Sequence, residues 1–255
     1  MSQFSRRNFM RNTLGGIGFM ATPMGLSILS EQKSPDTTPK KIVCVGAHPD
    51  DPESGCGGTL AKFSQAGHQV TILYLTRGEA GIPGKSHDEA AAIRTREATE
   101  ACQLLNAKPL FFGQIDGDSV LDNRWLTQFR QVLDNEQPDC VFTHWPIDSH
   151  KDHQVTSLLT IQTWLQAARK FELYFFEVCA GEQTMTFHPT DYVDITATQE
   201  LKRKAVYCHQ SQVPASIYNC GHTLMEEFRG IASGFGAAEG FVRMTGKGQG
   251  NEAGF

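Results

Sequence analysis

Lys41-Ile-Val-Cys-Val-Gly-Ala-His-Pro-Asp-Asp-Pro-Glu53 is the stretch whose reading decides the fold. Its apolar run, Ile42 to Val45, has the length and composition of a buried parallel strand. The run passes into Gly46-Ala47, and then His48, Pro49, Asp50 and Asp51 arrive together. Open α/β sheets bind ligands beyond the carboxyl ends of their strands, so an imidazole and two carboxylates stand where such a fold places chemistry. Pro49 fixes one φ angle and stiffens the tip. His48 and Asp51, three apart on a tight turn, can point at one centre. Adjacent Asp50 and Asp51 must point differently, which gives them different roles.

A second cluster lies further on, in Val141-Phe-Thr-His-Trp-Pro-Ile-Asp-Ser-His-Lys-Asp-His153. It too follows a short apolar run, Cys140 to Phe142. His150, Asp152 and His153 fall at a predicted helix start, with Ser149 or Asp148 as N-cap. Two His and one Asp match a catalytic zinc site, which takes three protein ligands and keeps a position for water. The remaining Asp50 and His150 suit a base and an oxyanion stabiliser.

These motifs resemble those of the LmbE-like, or PIG-L, family of zinc-dependent N-deacetylases, which carry AHPDD-x-E and a later H-x-D-H. The likeness continues along the chain. Thr76-Arg-Gly-Glu-Ala-Gly81 resembles the family's loop after its second strand, and Arg94-Thr-Arg-Glu97 its R-x-x-E helix start. Lys204 to Gln212 resembles its late K-x-x-A-x-x-x-H-x-S-Q segment, and Ala238-Glu-Gly-Phe241 its closing A-E-x-F. The resemblance implies that His48, Asp51 and His153 bind one zinc ion per chain. It implies Asp50 as general base, and a protonated His150 as oxyanion stabiliser or acid, oriented by Asp152. Arg94 matches a position that contacts substrate in some members. The implied substrate is an N-acetylglucosamine-type amino sugar or glycoconjugate, which loses its acetyl group to a metal-activated water. Rival readings are a zinc hydrolase of another amide or an ester, and a non-catalytic carbohydrate- or metal-binding protein of the same fold. Asp50 separates the last from an enzyme, because a binding protein has no use for a base held off the metal.

The chain has 255 residues, 40% hydrophobic and 20% charged, as expected of one globular α/β domain. Its net charge of −5 argues against a nucleic-acid partner, which favours a basic face. Residues 1–30 read as an export signal: Arg6-Arg7, then a weakly apolar run from Leu14 to Leu29 that contains four glycines and a proline. Twin arginines are an export address read by a receptor in bacteria, and the run falls short of the roughly 20 residues of a membrane span. The expected destination is the periplasm or exterior, by the twin-arginine machinery, with no membrane span in the mature form. A disordered basic tail is the alternative. Residues 31–40 read as a linker, 41–245 as the catalytic domain and 246–255 as a Gly-rich tail. A homo-oligomer is left open.

Seven cysteines show no C-x-x-C spacing and sit mostly in apolar segments, so neither a disulfide framework nor a cysteine metal ligand is expected. Gly55-x-Gly-Gly after the first strand mimics a dinucleotide fingerprint, but position 60 is Leu and the full G-x-G-x-x-G fails. It reads instead as the close-packed start of a helix that runs to about Ala66 and ends at Gly67. Further helices are predicted over Glu89–Leu105, Asn123–Leu133, His153–Lys170 and Thr196–His209. Further strands are predicted over Gln69–Leu75, Leu110–Phe112, Asp139–Phe142, Glu172–Val178 and Tyr192–Ile195. This alternation predicts a three-layer, Rossmann-like, doubly wound and mostly parallel sheet in a single domain. In the acidic loop 113–122, Asp116 reads either as a substrate contact or as a solvated turn residue. His144 reads either as a pocket residue or as a structural hydrogen-bond partner. His209 reads either as a helix C-terminal His favoured by the dipole or as a pocket residue.

Overall fold

The computed structural model describes residues 38–167, 171–178 and 182–245. The predicted export signal, most of the 31–40 linker, the 246–255 tail and the predicted helix end at Lys170 lie outside the described residues. The strands are β1 (Lys41–Gly46), β2 (Gln69–Tyr74), β3 (Ala107–Phe111), β4 (Cys140–His144), β5 (Glu172–Phe176), β6 (Asp191–Asp194) and β7 (Ala238–Arg243). They form one seven-stranded sheet in the order β3-β2-β1-β4-β5-β7-β6. The strands from β3 to β5 are parallel, β7 runs antiparallel to β5, and β6 antiparallel to β7. The helices are α1 (Asp51–Gln65), α2 (His87–Leu104), α3 (Asn123–Glu136), α4 (Lys151–Gln166), α5 (Gln199–Tyr207), α6 (Pro214–Ile217) and α7 (Thr223–Ser233).

Strand alternation builds two cores. Ile42 and Cys44 of β1 pack with Leu60 of α1, Ala98 of α2 and Ala205 of α5. Val43 and Val45 face the other way, toward Phe129 of α3 and Leu159 of α4. Each fully buried Leu, Val or Phe contributes about 1.5–3 kcal/mol, which fixes the register and hence where each strand ends. The sheet is therefore covered by helices on both faces, as predicted.

The glycines after β1 serve packing, not phosphate binding. A Cβ at Gly58 would lie 2.7 Å from Ile195 Cγ2, so only glycine lets α1 lie this close. Helix α2 starts at His87, two residues before the predicted Glu89, because Ser86 and Glu89 close a capping box around its first turn. Helix α5 is shorter than the predicted 196–209. The sequence reading did not mark β7 or α7 as elements at all. Cys44, Cys56, Cys102 and Cys140 are buried and unbonded, and Cys208 is free and partly exposed. Among the described residues no helix is long and apolar enough to cross a membrane.

Candidate metal and catalytic site

The chain leaves β1 toward β2 on one side and later returns to β4 on the other, so the topology switches between β1 and β4. Ligand sites of open α/β sheets lie at such switch points. His48, Asp50 and Asp51 follow β1, and His150, Asp152 and His153 follow β4. The loops after β2 and β3 close the same end. Asp50 has φ 109°, a backbone conformation that strains an L residue and is retained where the surroundings enforce it.

The three residues expected to bind metal converge on one oxygen. Asp51 Oδ2 lies 3.2 Å from His48 Nδ1 and 3.4 Å from His153 Nε2. Donors 2.0–2.2 Å from a tetrahedral zinc ion stand about 3.4 Å apart, so the spacing fits the ion. His144 Nε2 approaches the same oxygen at 3.3 Å while it accepts the Ala47 N–H at 3.0 Å. So many acceptor atoms around one buried carboxylate call for a cation. The tightest groupings able to hold an ion are His48–His150–His153, Asp51–His144–His153 and His48–Asp116–Asp152. The three expected ligands are thus distributed over overlapping groups.

The charges follow from this crowding. Burial would raise the Asp51 carboxyl, but His153 and His144 hold it well below the carboxylate range. Burial opposes protonation of His153, yet Asp51 and Asp148 carry it up to about 9. His144 falls to about 4, through burial first and the neighbouring His153 second. It is therefore neutral at pH 7, and it stacks on His153 with ring centroids 4.1 Å apart.

Each expected ligand histidine is held from behind by carboxylates. His48 Nε2 lies 3.1 Å from Asp116 Oδ1 and 3.2 Å from Asp152 Oδ2, which leaves Nδ1 for the centre. His153 Nδ1 lies 3.1 Å from Asp148 Oδ1, which leaves Nε2 for the centre. Carboxylates placed this way fix ring orientation and strengthen the imidazole as a ligand. Asp148 was considered only as a helix cap, and its pairing with His153 went unread. The rule that a ligand histidine takes a carboxylate partner was the available signal. Asp116 belongs to the site through His48 and is not a solvated turn residue.

Two expectations are corrected. Asp152 was expected to orient His150 through its carboxylate. Among the described residues that carboxylate bonds Ser119 Oγ, the Gly117 N–H at 2.7 Å and His48 instead. His150 is itself the N-cap of α4, and its Nδ1 accepts the Asp152 N–H at 3.2 Å. Ser149 and Asp148 are therefore not the cap. His150 was also expected to be cationic. Burial, then the nearby His48 and His153, lowers its pKa, and the helix start adds to this. A ring that accepts at Nδ1 carries its proton on Nε2, so neutral His150 remains a hydrogen-bond donor.

Arg94 is 3% exposed and sits behind Asp50. Its Nη2 donates to the Pro49 carbonyl and lies 3.2 Å from Asp50 Oδ2. Gly78 leaves room for it, since a Cβ there would fall 2.6 Å from Arg94 Cδ. Burial raises the Asp50 pKa, and Arg94 opposes that rise. His209 Nε2 lies 3.3 Å from Glu53 Oε1, which also accepts the Tyr74 hydroxyl. Burial disfavours the charged His209 ring, but Glu53 raises its pKa overall. His48, Asp50, Asp51, Arg94, His150, His153 and His209 all line one cavity of about 900 Å³.

Fold and site define the class: a Rossmann-like α/β domain with a His/Asp cluster able to hold a metal ion and a carboxylate beside it. The PIG-L family model, described as GlcNAc-PI de-N-acetylase, matches residues 43–164 of this chain. Diacetylchitobiose deacetylase of Thermococcus kodakarensis is 28% identical over 221 residues, 79% of this chain and 82% of that protein. The N,N'-diacetylchitobiose deacetylase of Pyrococcus horikoshii, solved with its inhibitor MPG, superposes with a TM-score of 0.73 at 29% identity, covering 83% of this chain and 86% of that one. A 4-oxalmesaconate hydratase of Pseudomonas putida is 26% identical over 71% of this chain and 77% of its own length. The fold thus does not by itself fix the reaction.

Proposed function

We propose that this protein is a zinc-dependent N-deacetylase that removes acetyl from an N-acetylglucosamine-type amide. One observation carries the reading. Asp50 is a carboxylate beside the donor set, paired with Arg94 at 3.2 Å, and among the described residues it stands outside every His/Asp grouping able to hold an ion. His48, Asp51 and His153 would hold the ion, which when bound would supply an acidic water and polarise the acyl oxygen. Asp50 accepts the water's proton, a role worth about 10²–10⁴-fold in such sites. Arg94 keeps Asp50 ionised and fixes the strained turn through the Pro49 carbonyl. Neutral His150, its tautomer set by the helix cap, donates from Nε2 to the oxygen that becomes negative. The proton taken by Asp50 is then available to the departing amine. The products are acetate and a free amino sugar, in keeping with the deacetylases among the relatives.

The test is amine release from N-acetylglucosamine and its β-glycosides by metal-stripped and zinc-reconstituted protein. Zinc-dependent amine release is expected. Hydration of an unsaturated dicarboxylic acid without any amine release would overturn the assignment in favour of the hydratase chemistry of its relative.

We further propose export by the twin-arginine route, on the strength of Arg6-Arg7 and the weakly apolar run behind it. Lysine at both positions is expected to strand the protein in the cytoplasm. Unchanged export would assign the segment to another pathway.

A further inference from the structure

The cavity has two unlike ends. One holds the donor set, Asp50 and His150. The other is walled by α7, where Leu224, Met225 and Phe228 face the space. Leu224 is 60% exposed and Phe228 61%, unusual for large apolar side chains on a wall so close to a charged centre. Their placement is enforced from behind. Glu226, on the opposite face of α7, is buried against Lys202 Nζ at 2.8 Å and accepts the Tyr218 hydroxyl at 3.1 Å. The helix is therefore clamped with its apolar residues turned outward. At about 900 Å³ the cavity lies near the top of the range for drug-sized ligands, about 300–1,000 Å³. One sugar ring at the donor set leaves the α7 end to be filled by something attached to it.

Charge narrows what that can be. Arg229, which also lines the cavity, is held in a two-pronged pair with Glu177 at 2.6 and 2.7 Å. Its guanidinium lies over the Phe228 ring, 5.5 Å from the centroid. Arg94 is taken by Asp50. His222, deep in the wall, is lowered to about 4 by burial and by Lys202, and so carries no charge at neutral pH. The arginines of this cavity are thus already neutralised, and Glu182 on its wall repels anions.

We propose that Leu224, Met225 and Phe228 form a subsite for an uncharged, apolar aglycone, an alkyl or aryl group on the anomeric oxygen of the amino sugar. This rests on the deacetylase reading and names its substrate class. Among the described residues a phosphate-bearing aglycone finds no unpaired arginine there, and a second polar sugar gains little from a wall of this composition.

The experiment uses the zinc-loaded full chain and four probes: N-acetylglucosamine, N,N'-diacetylchitobiose, and the butyl and octyl N-acetyl-β-D-glucosaminides. The readout is the ratio of kcat/KM for each glycoside to that for N-acetylglucosamine, taken from amine release. Each methylene that reaches the wall is expected to lower KM by up to about fourfold, so octyl exceeds butyl and both exceed diacetylchitobiose. The octyl ratio is expected to fall at least tenfold in Phe228→Ser and again in Leu224→Ser. Both side chains are exposed enough for the variants to fold. The proposal is overturned if diacetylchitobiose is preferred, or if the octyl ratio survives in both variants.

Calorimetry with octyl 2-amino-2-deoxy-β-D-glucoside and with glucosamine separates this failure from failure of the deacetylase reading, because it needs no turnover. Tighter octyl binding, lost in Phe228→Ser, upholds the subsite even if no amine is released. Equal binding removes it. Sedimentation velocity completes the set. An assembly that dissociates in Phe228→Ser while the octyl ratio stands would make this face a contact between copies and refute the proposal.

Discussion

Replacing Arg94 with Met removes a buried charge from behind the proposed base and keeps most of the volume against Gly78 and Gly81. Arg94 lies 3.2 Å from Asp50 Oδ2. An adjacent arginine holds a carboxylate down by about 1–3 pKa units. The Asp50 side chain is 26% exposed, and solvent reaching it places the effect in the lower part of that range. Burial already raises the Asp50 pKa, and Arg94 is the main opposing influence. Without it the pKa climbs further. A base works only when ionised, so the acid limb of the pH profile for kcat/KM should move up by about 1–2 units. Well below the limb the variant should be slower by about 10–100-fold, and the gap should narrow as pH rises past it. Arg94→Lys keeps a charge but not the fork that spans the Pro49 carbonyl and Asp50, so its limb should move less. The assay is the pH dependence of amine release, with zinc content measured on the same samples. If Arg94→Met raised KM alone and left the limb in place, Arg94 would be a substrate contact, as its resemblance to other family members implied.

Asp50→Asn keeps the shape and tolerates the positive φ, so zinc should stay bound while kcat falls by about 10²–10⁴-fold. Loss of zinc in that variant, with zinc kept in Asp51→Asn, would exchange the roles of the two aspartates. Asp148→Asn removes the carboxylate behind His153 and should weaken zinc binding by about 10–100-fold in competition with a chelator; unchanged affinity would make Asp148 only a brace for Thr184, to which it is also bonded. Lys202→Met leaves Glu226 and Glu239 buried without their cation. It should destabilise by about 3–5 kcal/mol and lower Tm by about 6–20 °C in calorimetry, and a shift of under a degree would show that this network contributes nothing.

What could be read from the chain was whatever lies within one continuous segment. Ile42 to Val45 is apolar on both sides, so β1 and its exit into His48 and Asp51 followed directly. Asn106 follows α2 with φ 49°, in the left-handed region that asparagine tolerates, a stop signal local to the chain. The partners of His48 and His153 were hidden because pairing across loops has no period. Nothing local in Asp116 states that its loop folds back over β1. Strand β7 was hidden for another reason. Glu239 is its second residue, buried against Lys202 and the N–H groups of Gly58 and Thr59. A charged residue there breaks the apolar pattern by which strands are recognised. Helix α7 shows outward apolar residues and a buried glutamate, the reverse of the usual arrangement, so periodicity alone would have turned it the wrong way round.

The order β5-β7-β6 also sets a timetable. During synthesis the ribosome releases β6 well before β7, yet β6 has no neighbour in the sheet until β7 slots in between it and β5. Lys202 likewise waits for Glu239. A nascent chain that stops short of Ala238 therefore holds both His/Asp motifs but an open sheet and a buried lysine with only Glu226 of its two carboxylates. Completion of the domain is tied to its last segment of sequence. Cutting the chain within β7 should be as damaging as cutting it near Asp50 and Asp51.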